Sequence, residues 1–359
     1  MTESKHRVAI IGCGNLGQVY ADLYSSFPNT EIVAIAEYNA DRLKHVGEKY
    51  GVKALYPDAE ALLREVVPDI AAVVTPSKYY KDAVIACAEA GVKGVSTDKP
   101  IAATLSDADA MVEACESRGV VLSGGALVRA KPEIQEMAGW IKEGQFGELI
   151  GASIHRWHRE ISGAGCHLIS LLRLWTGAEV EEVVAWAEPE DILASDCDWD
   201  LMVNGRFKLS NGTDCLVFDH ESKGNDGVDV WSEDCLIRWS WGNPEIYRGY
   251  NANGARTRQE VRYSEHGWTG STHLMGAVRS FLAAVESGSE LWISGHDLRQ
   301  ALEVAIAAQV SAKRGSVPMR LPLEDRSLTL YPRPYRWLGG DHYTGDGHKV
   351  VGKRQGIDV

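Results

Sequence analysis

The sequence lacks a basic excess. Its 359 residues carry 37 Lys and Arg against 50 Asp and Glu, a formal net charge of -13. A sequence-independent grip on nucleic acid needs a basic surface, and so does docking on anionic lipid; both are excluded. An apolar run long enough to span a bilayer is also missing. The polar start, Met1 to Arg7, has no hydrophobic signal region. The seven cysteines are odd in number and contain no C-x-x-C pair. They suit buried or free thiols in a reducing cytosol better than a disulfide or zinc framework. The expectation is a cytoplasmic protein with no membrane or nucleic-acid partner. No internal repeat occurs. What remains is ordinary globular composition, 45% hydrophobic and 24% charged, in a chain long enough for two domains.

The stretch that organises the chain is Val8-Ala-Ile-Ile-Gly-Cys-Gly-Asn-Leu-Gly17. Four apolar residues read as a fully buried strand. Gly12, Gly14 and Gly17 follow in the order G-x-G-x-x-G. In a dinucleotide fold the first glycine permits the tight turn, the second lets backbone approach a pyrophosphate, and the third lets the helix pack close. The helix predicted from Asn15 would turn its N–H groups and positive dipole end toward the diphosphate. A glycine-rich turn without a ligand has the same local pattern. The context favours the dinucleotide: a second strand, Glu31–Ala36, ends at Glu37, about twenty residues on, where an acid can bond the adenosine ribose.

Strands and helices alternate up to Val120–Leu122, which predicts a parallel, doubly wound sheet. Gly12, Glu37, Thr75 and Lys99 then fall at carboxyl ends of strands, where ligands bind in such sheets. After about Gly124 the pattern changes. A helix over Lys131–Glu143, a strand over Leu149–Trp157 and a helix over Cys166–Trp175 precede successive strands at 180–187, 200–209, 214–220, 228–231 and 236–241. Strands without helices between them predict an antiparallel or mixed sheet, hence an α+β second domain. Two long helices follow, about 272–287 and 296–314, and the tail beyond Pro322 reads as an irregular arm.

Lys99 stands at the end of a buried strand, directly before Pro100, so the backbone is held extended and aims the side chain. It could stabilise an alkoxide as hydride leaves, or be a lysine in a surface loop. His155, Arg156, His158 and Arg159 cluster ahead of His167 and could bind a polar or anionic substrate. A metal site from His155, His158, Glu160 and His167 is disfavoured. In a continuing strand His155 and His158 point to opposite faces, and ligands need one focus. Trp157, Trp231, Trp239 and Trp241 could stack on a sugar, but tryptophans in strands are more often core or interface residues.

The sequence resembles the Gfo/Idh/MocA oxidoreductases. The likeness rests on Gly12-Cys13-Gly14-Asn15-Leu16-Gly17, Thr75-Pro76-Ser77, Asp98-Lys99-Pro100, Arg129 with Pro132, Gly165-Cys166-His167 followed by Leu-x-x-Trp175-Thr-Gly177, and Ser294-Gly-His-Asp297. It runs in order over about residues 5–322. It implies a Rossmann domain over residues 1–123, an α/β substrate and oligomerisation domain with a large, mostly antiparallel open sheet over 124–322, and an arm over 323–359. It implies bound NAD or NADP, held by the glycine loop, Glu37, Thr75, Pro76, Ser77, Asp98, Lys99 and Arg129, and the acid Glu37, which would repel a 2′-phosphate, points to NAD. It implies a sugar, cyclitol or related polyol as substrate, met by Lys99, His155, Arg156, His158, Glu160 and His167. His167 would be the general acid/base and Lys99 would polarise the reacting oxygen. The open sheet face would make a homodimer or homotetramer.

Two positions depart from the family's pattern. Gly163 stands where an aspartate usually precedes the histidine by four residues, and Ser170 where one follows by three. The dyad that orients the histidine is missing in its usual form. Glu160, Ser162 or a group on another segment could substitute. A redox-neutral glycosidase or lyase using NAD for transient oxidation is the alternative enzyme, and a nucleotide-sensing regulator without turnover is the alternative outside enzymology.

Overall fold

A computed structural model describes residues 5–125, 127–157, 160–188, 193–197, 201–219, 226–267 and 272–339. The chain divides into two units. The first is Met1–Gly125 with Val278–Arg299 and Arg333–Val359; the second is Ala126–Ala277 with Gln300–Pro332.

In the first unit the elements are β1 (His6–Ile11), α1 (Asn15–Ser26), β2 (Thr30–Ala36), α2 (Ala40–Tyr50), β3 (Leu55–Tyr56), α3 (Ala59–Glu65), β4 (Ile70–Val73), α4 (Tyr80–Ala90), β5 (Gly94–Ser96), α5 (Leu105–Glu116) and β6 (Val121–Ser123). All the pairings are parallel. The order β3-β2-β1-β4-β5-β6 is that of a doubly wound dinucleotide sheet, with its switch point beside β1. Val8–Ile11 and Ile70–Val73 lie side by side and are buried throughout. A strand covered on both faces has no polar side to show, which is why these runs read as unbroken apolar segments. Thr104 caps α5 by accepting the Asp107 amide at 3.1 Å, while the Asp107 carboxylate turns to Lys81.

The second unit begins with a 3-10 turn over Val128–Ala130 and then α6 (Pro132–Lys142). There follow β7 (Gly151–His155), α7 (Gly165–Thr176), β8 (Val180–Glu188), β9 (Met202–Leu209), β10 (Asp214–Phe218), β11 (Gly227–Trp231), β12 (Cys235–Trp239), β13 (Glu245–Tyr250) and β14 (Arg256–Arg258). Further on come α8 (Thr272–Ser287), α9 (Gly295–Lys313), β15 (Met319–Arg320) and α10 (Pro334–Leu338); the bounds of the two units fall inside α8 and α9. Ser294 and Asp297 form a full capping box at the start of α9, each side chain accepting the other's amide. Nine strands form one sheet, β14-β13-β12-β11-β7-β10-β9-β8-β15. Among the described strands of this sheet only β7 and β10 pair in parallel. The α/β class with an α+β second unit is therefore as expected.

Along β9 and β10 burial alternates: Val203, Phe207, Cys215 and Val217 are buried on one face. On the other, Leu216 and Phe218 are 44% exposed and Trp186 of β8 is 48% exposed. In register, Leu216 lies opposite Arg206, which lies opposite Val184. Exposed apolar side chains of β8 and β10 thus share one face, with Asn204 and Arg206 of β9 between them. Among the described residues no helix is long and apolar enough to cross a membrane.

Several elements differ from expectation. β13, β14 and β15 were not legible: β14 and β15 are short edge strands, β13 lies next to that edge, and their exposed, charged residues hide an apolar alternation. The strand expected over Leu149–Trp157 ends at His155, and the one expected to Trp241 ends at Trp239. Arg156 has φ 54° and Trp241 φ 58°, and the left-handed conformation breaks a ladder. The expected irregular arm contains α10, started by Pro334 and docked where the Ser77 hydroxyl donates to the Arg336 carbonyl at 3.1 Å. His220 and Asp200, expected in strands, lie outside the described residues, as do His158 and Arg159.

Candidate active site

In the first unit Gly12, Glu37, Thr75 and Asp98-Lys99 follow the carboxyl ends of β1, β2, β4 and β5, which are neighbours in the sheet. Gly12 has φ 91°, and a Cβ there would stand 2.9 Å from the Thr75 amide nitrogen and the Val74 carbonyl oxygen. A Cβ on Gly17 would stand 1.9 Å from the Gly12 carbonyl oxygen, so the helix can approach the turn only without a side chain. Around Gly14 the reverse holds, with nothing within 4 Å of the Cβ position. Gly14 caps α1 with no side-chain hydrogen bond, and no acidic residue lies in the first turn. The first turn of α1, Asn15 to Gly17, therefore presents backbone N–H groups to an open cradle. That is the environment a dinucleotide diphosphate requires.

Glu37 is buried, 4% exposed, and its carboxylate is held at three points. The Cys13 amide donates to Oε2 at 2.7 Å, and the Asn39 amide and Arg42 donate to Oε1 at 3.0 and 2.8 Å. Arg42 is a partner the sequence reading missed. Its signal was a lone arginine in the first turn of α2, close behind the acid. A carboxylate has about four acceptor sites, so an acceptor position remains for a ribose hydroxyl. Burial, with Glu37 beside it, pushes the Cys13 thiol well up, so Cys13 enters the loop as a neutral packing group.

Thr75-Pro76-Ser77 forms the turn after β4, with Ser77 opening a 3-10 turn to Tyr79. Pro76 lies against Gly339, and Ser77 is engaged with α10. Asp98 is buried, and its Oδ1 accepts the Lys99 amide at 2.6 Å. The Lys99–Pro100 peptide is cis. Tyr20 donates to the Thr97 carbonyl at 3.3 Å; burial and the nearby Asp98 push its hydroxyl up, so it stays protonated. The shorter acid of the Asp-Lys-Pro motif thus organises the backbone from which Lys99 projects.

In the second unit His167 lies in the first turn of α7 and is 9% exposed. Its Nδ1 accepts the Val128 amide at 3.2 Å. A ring nitrogen that accepts carries no proton, so this bond assigns the proton of neutral His167 to Nε2. A group on another segment, the backbone of the turn before α6, therefore holds Nδ1. Arg129, in the same turn, donates to Ser170 Oγ at 3.2 Å and accepts Gln135 on its carbonyl. Ser170 is fully buried, at the position where the family's pattern has an acid. Glu160 is buried, and its carbonyl accepts the Ala164 and Gly165 amides that lead into α7.

His155 and Arg156 gather elsewhere in this unit. His155 Nε2 meets Ser153 Oγ at 2.8 Å and Asp229 Oδ2 at 3.6 Å. Burial alone would raise the Asp229 carboxyl, but hydrogen bonds from Arg238 and His155 hold it below the usual carboxylate range. His155, Asp229 and Arg238 line a polar cavity of about 840 Å³ with Asp226, Tyr247 and Arg258. Arg156 reaches Asp226 at 3.6 Å. Among the described residues no group of three or more His, Cys, Asp and Glu side chains is gathered as a metal site. His158, expected as a substrate residue, lies outside the described residues.

Comparison with known proteins agrees with this geometry. Residues 6–126 match the family described as "Oxidoreductase family, NAD-binding Rossmann fold". The chain is 24% identical over 340 residues to the D-apiose dehydrogenase of Paraburkholderia graminis, covering 88% of this chain and 89% of that protein. It is 26% identical over 333 residues to the myo-inositol 2-dehydrogenase of Thermotoga maritima, covering 85% and 96%. An oxidoreductase from Agrobacterium radiobacter, solved with NAD+, L-tartaric acid and magnesium, has the same fold. Its TM-score is 0.73 at 21% identity, over 88% of this chain and 98% of that one. The glycine cradle at α1, the three-point Glu37 and the Asp98-Lys99-Pro100 turn thus all lie within residues 6–126, the segment that matches this NAD-binding Rossmann oxidoreductase family.

Proposed function

We propose that the protein transfers a hydride between NAD and a carbinol carbon of a sugar, cyclitol or related polyol. The open cradle at the start of α1, beside the buried Glu37, is the observation that carries this reading. The names of the apiose and inositol dehydrogenases direct it to that substrate class. NAD bound at the cradle supplies the hydride acceptor or donor. The cradle's N–H groups hold the diphosphate, and Glu37 accepts from the ribose. Lys99 polarises the reacting oxygen. His167, carrying its proton on Nε2, gives that proton to the oxygen in reduction and recovers it in oxidation. A cytoplasmic location is part of the reading. The test is a steady-state assay over a panel of polyols, following reduced nicotinamide. Product release without net NADH would move the protein to the redox-neutral elimination reading. That reading is favoured by one observation: Gly163 and Ser170 stand where acids usually flank the histidine, and Nδ1 is held by a backbone amide instead of a carboxylate. Neither signal would leave a nucleotide sensor.

Coenzyme choice follows from Glu37. Its carboxylate only accepts hydrogen bonds, and three donors already fix it. It can accept from ribose hydroxyls but not from the oxygens of a 2′-phosphate. NAD is expected to bind roughly tenfold or more tighter than NADP, a difference of about 1.4 kcal/mol or more. Titration giving equal or tighter NADP binding would refute the assignment.

Assembly follows from the open sheet face. Trp186 of β8 and Leu216 and Phe218 of β10 expose apolar area on the same face, on either side of β9, and an uncovered apolar face is an association site. We expect a homodimer or homotetramer of closed symmetry with this face at the interface. Light scattering should show the oligomer at micromolar concentration, and the double variant Trp186→Glu, Leu216→Glu should shift it toward monomer. A monomeric parent protein would rule the interface out.

A further inference from the structure

Tryptophan placement in the second unit is uneven. Trp157 and Trp239 are buried, at 1% and 0% exposure, and Trp231 lies flat against Gly151. Trp241 is different. It is 44% exposed, and its backbone is left-handed at φ 58°. A bulky residue in that region is strained, and such strain persists where surrounding contacts enforce it.

Those contacts converge on one carboxylate. The non-glycine residues at positive φ, among the described ones, are Arg156, Trp241 and Ser316. The first two both reach Asp226. Trp241 Nε1 donates to Asp226 Oδ2 at 2.5 Å, and Arg156 Nη1 stands 3.6 Å from Oδ1. Asp226 itself is 9% exposed. Lys131 donates to the Trp241 carbonyl at 3.1 Å, so the backbone is anchored as well. Behind the indole lies Trp239, with ring centres 5.0 Å apart. Beside it lies His167, edge-on, with ring centres 6.2 Å apart and planes at 64°. The indole is thus held at its nitrogen and its backbone, lies against Trp239 and the imidazole, and stays 44% exposed.

We infer that Trp241 is a stacking platform for a ring-shaped polyol, and that Asp226 is the residue that positions it. The inference rests on the oxidoreductase reading and narrows its substrate class from polyols in general to cyclic ones. A pyranose or cyclitol presents a flat face of C–H groups, which an indole can cover while the hydroxyls at the rim stay hydrogen-bonded. An open-chain polyol has no such face. The platform lies against His167, so stacking would bring a ring carbinol to the proton carrier.

The test uses the NAD-loaded protein with myo-inositol, D-apiose and methyl β-D-glucoside as rings, and sorbitol and xylitol as open chains. Rings are expected to be the better substrates. On the best ring, Trp241→Ala should raise KM about tenfold, the scale of one aromatic stacking contact. The kcat should stay within about threefold, because the contact is made equally in ground and transition states. Trp241→Phe should keep most of the affinity. Asp226→Ala should repeat the loss, and Asp226→Asn, which keeps an acceptor oxygen, should restore most of it. If Trp241→Ala fails to fold by thermal melt, Trp241→Leu decides, since it fills space and stacks on nothing. A KM within twofold of the parent in the Ala or Leu variant overturns the inference. So does an equal loss on rings and open chains, or a changed oligomeric state with an unchanged KM. Preference for open chains with normal turnover overturns the platform and leaves the oxidoreductase reading standing. No turnover and no indole quenching with any probe overturns both.

Discussion

Gly17→Ala is expected to abolish useful NAD binding and to destabilise the fold. The added methyl would lie 1.9 Å from the Gly12 carbonyl oxygen and 2.9 Å from its carbon. Alanine has no side-chain torsion with which to escape, and the atoms it meets are backbone. The β1–α1 turn must open, and overpacking of this kind costs about 1–3 kcal/mol. The turn is also the cradle, so NAD affinity should fall about 100-fold or more, because several aligned N–H donors are displaced together. Gly14→Ala provides the contrast. Its Cβ meets nothing within 4 Å in the free protein, so the melting temperature should stay near the parent's. Affinity should still fall, because the methyl occupies the side from which the diphosphate approaches. Calorimetric melting and NAD titration of both variants separate the effects. A Gly17→Ala protein with the parent's melting temperature and affinity would show that this turn is not the coenzyme site.

Removal of the two reactive groups should damage turnover more than binding. On the proposed reading Lys99 and His167 serve one reacting oxygen, so each acts mainly in the transition state. Lys99→Ala removes a positive donor, and His167→Ala removes the Nε2 proton. Each is expected to lower kcat by about 10²–10³, in line with loss of a positioned donor or acid/base. NAD affinity should change far less, since the cradle and Glu37 carry the grip. The double variant should lose much less than the product of the two, as expected for groups acting as a unit. The Val128 amide on Nδ1 adds a finer outcome. His167→Gln keeps an N–H donor without a titrating proton. If donation to the oxygen is the larger part of the role, it should retain clearly more activity than His167→Ala. Turnover of His167→Ala within a few-fold of the parent would move proton transfer to another group.

Much of the coenzyme half was legible because its determinants are local. The glycine spacing encodes a turn whose atoms lie within six residues of one another. An unbroken apolar run such as Val8–Ile11 encodes a strand with both faces covered. The parallel sheet follows from alternation of strands and helices, and Glu37 from its distance beyond the loop. Ser294 and Asp297 signal a helix start three residues apart, and both bonds of the box form.

Other features depended on residues distant in sequence. Arg42 completes Glu37 only because β2 and α2 fold back on each other. The imidazole of His167 is held by an amide 39 residues away, and every residue has an amide, so no side-chain pattern could announce it. Ser170 reads in sequence as a lost acid, yet in the fold it is the buried acceptor for Arg129. Strands β7 and β12 stop short of their apolar patterns because Arg156 and Trp241 turn left-handed and meet at Asp226. Local sequence therefore determined the elements, the coenzyme turn and the kinds of reactive group in this protein. Tertiary structure decided the proton position on His167, the partners of Glu37 and which tryptophans meet solvent. The reason is physical: propensity and periodicity act over a few residues, whereas a hydrogen bond or ring contact across strands exists only after the chain has closed the loops between them.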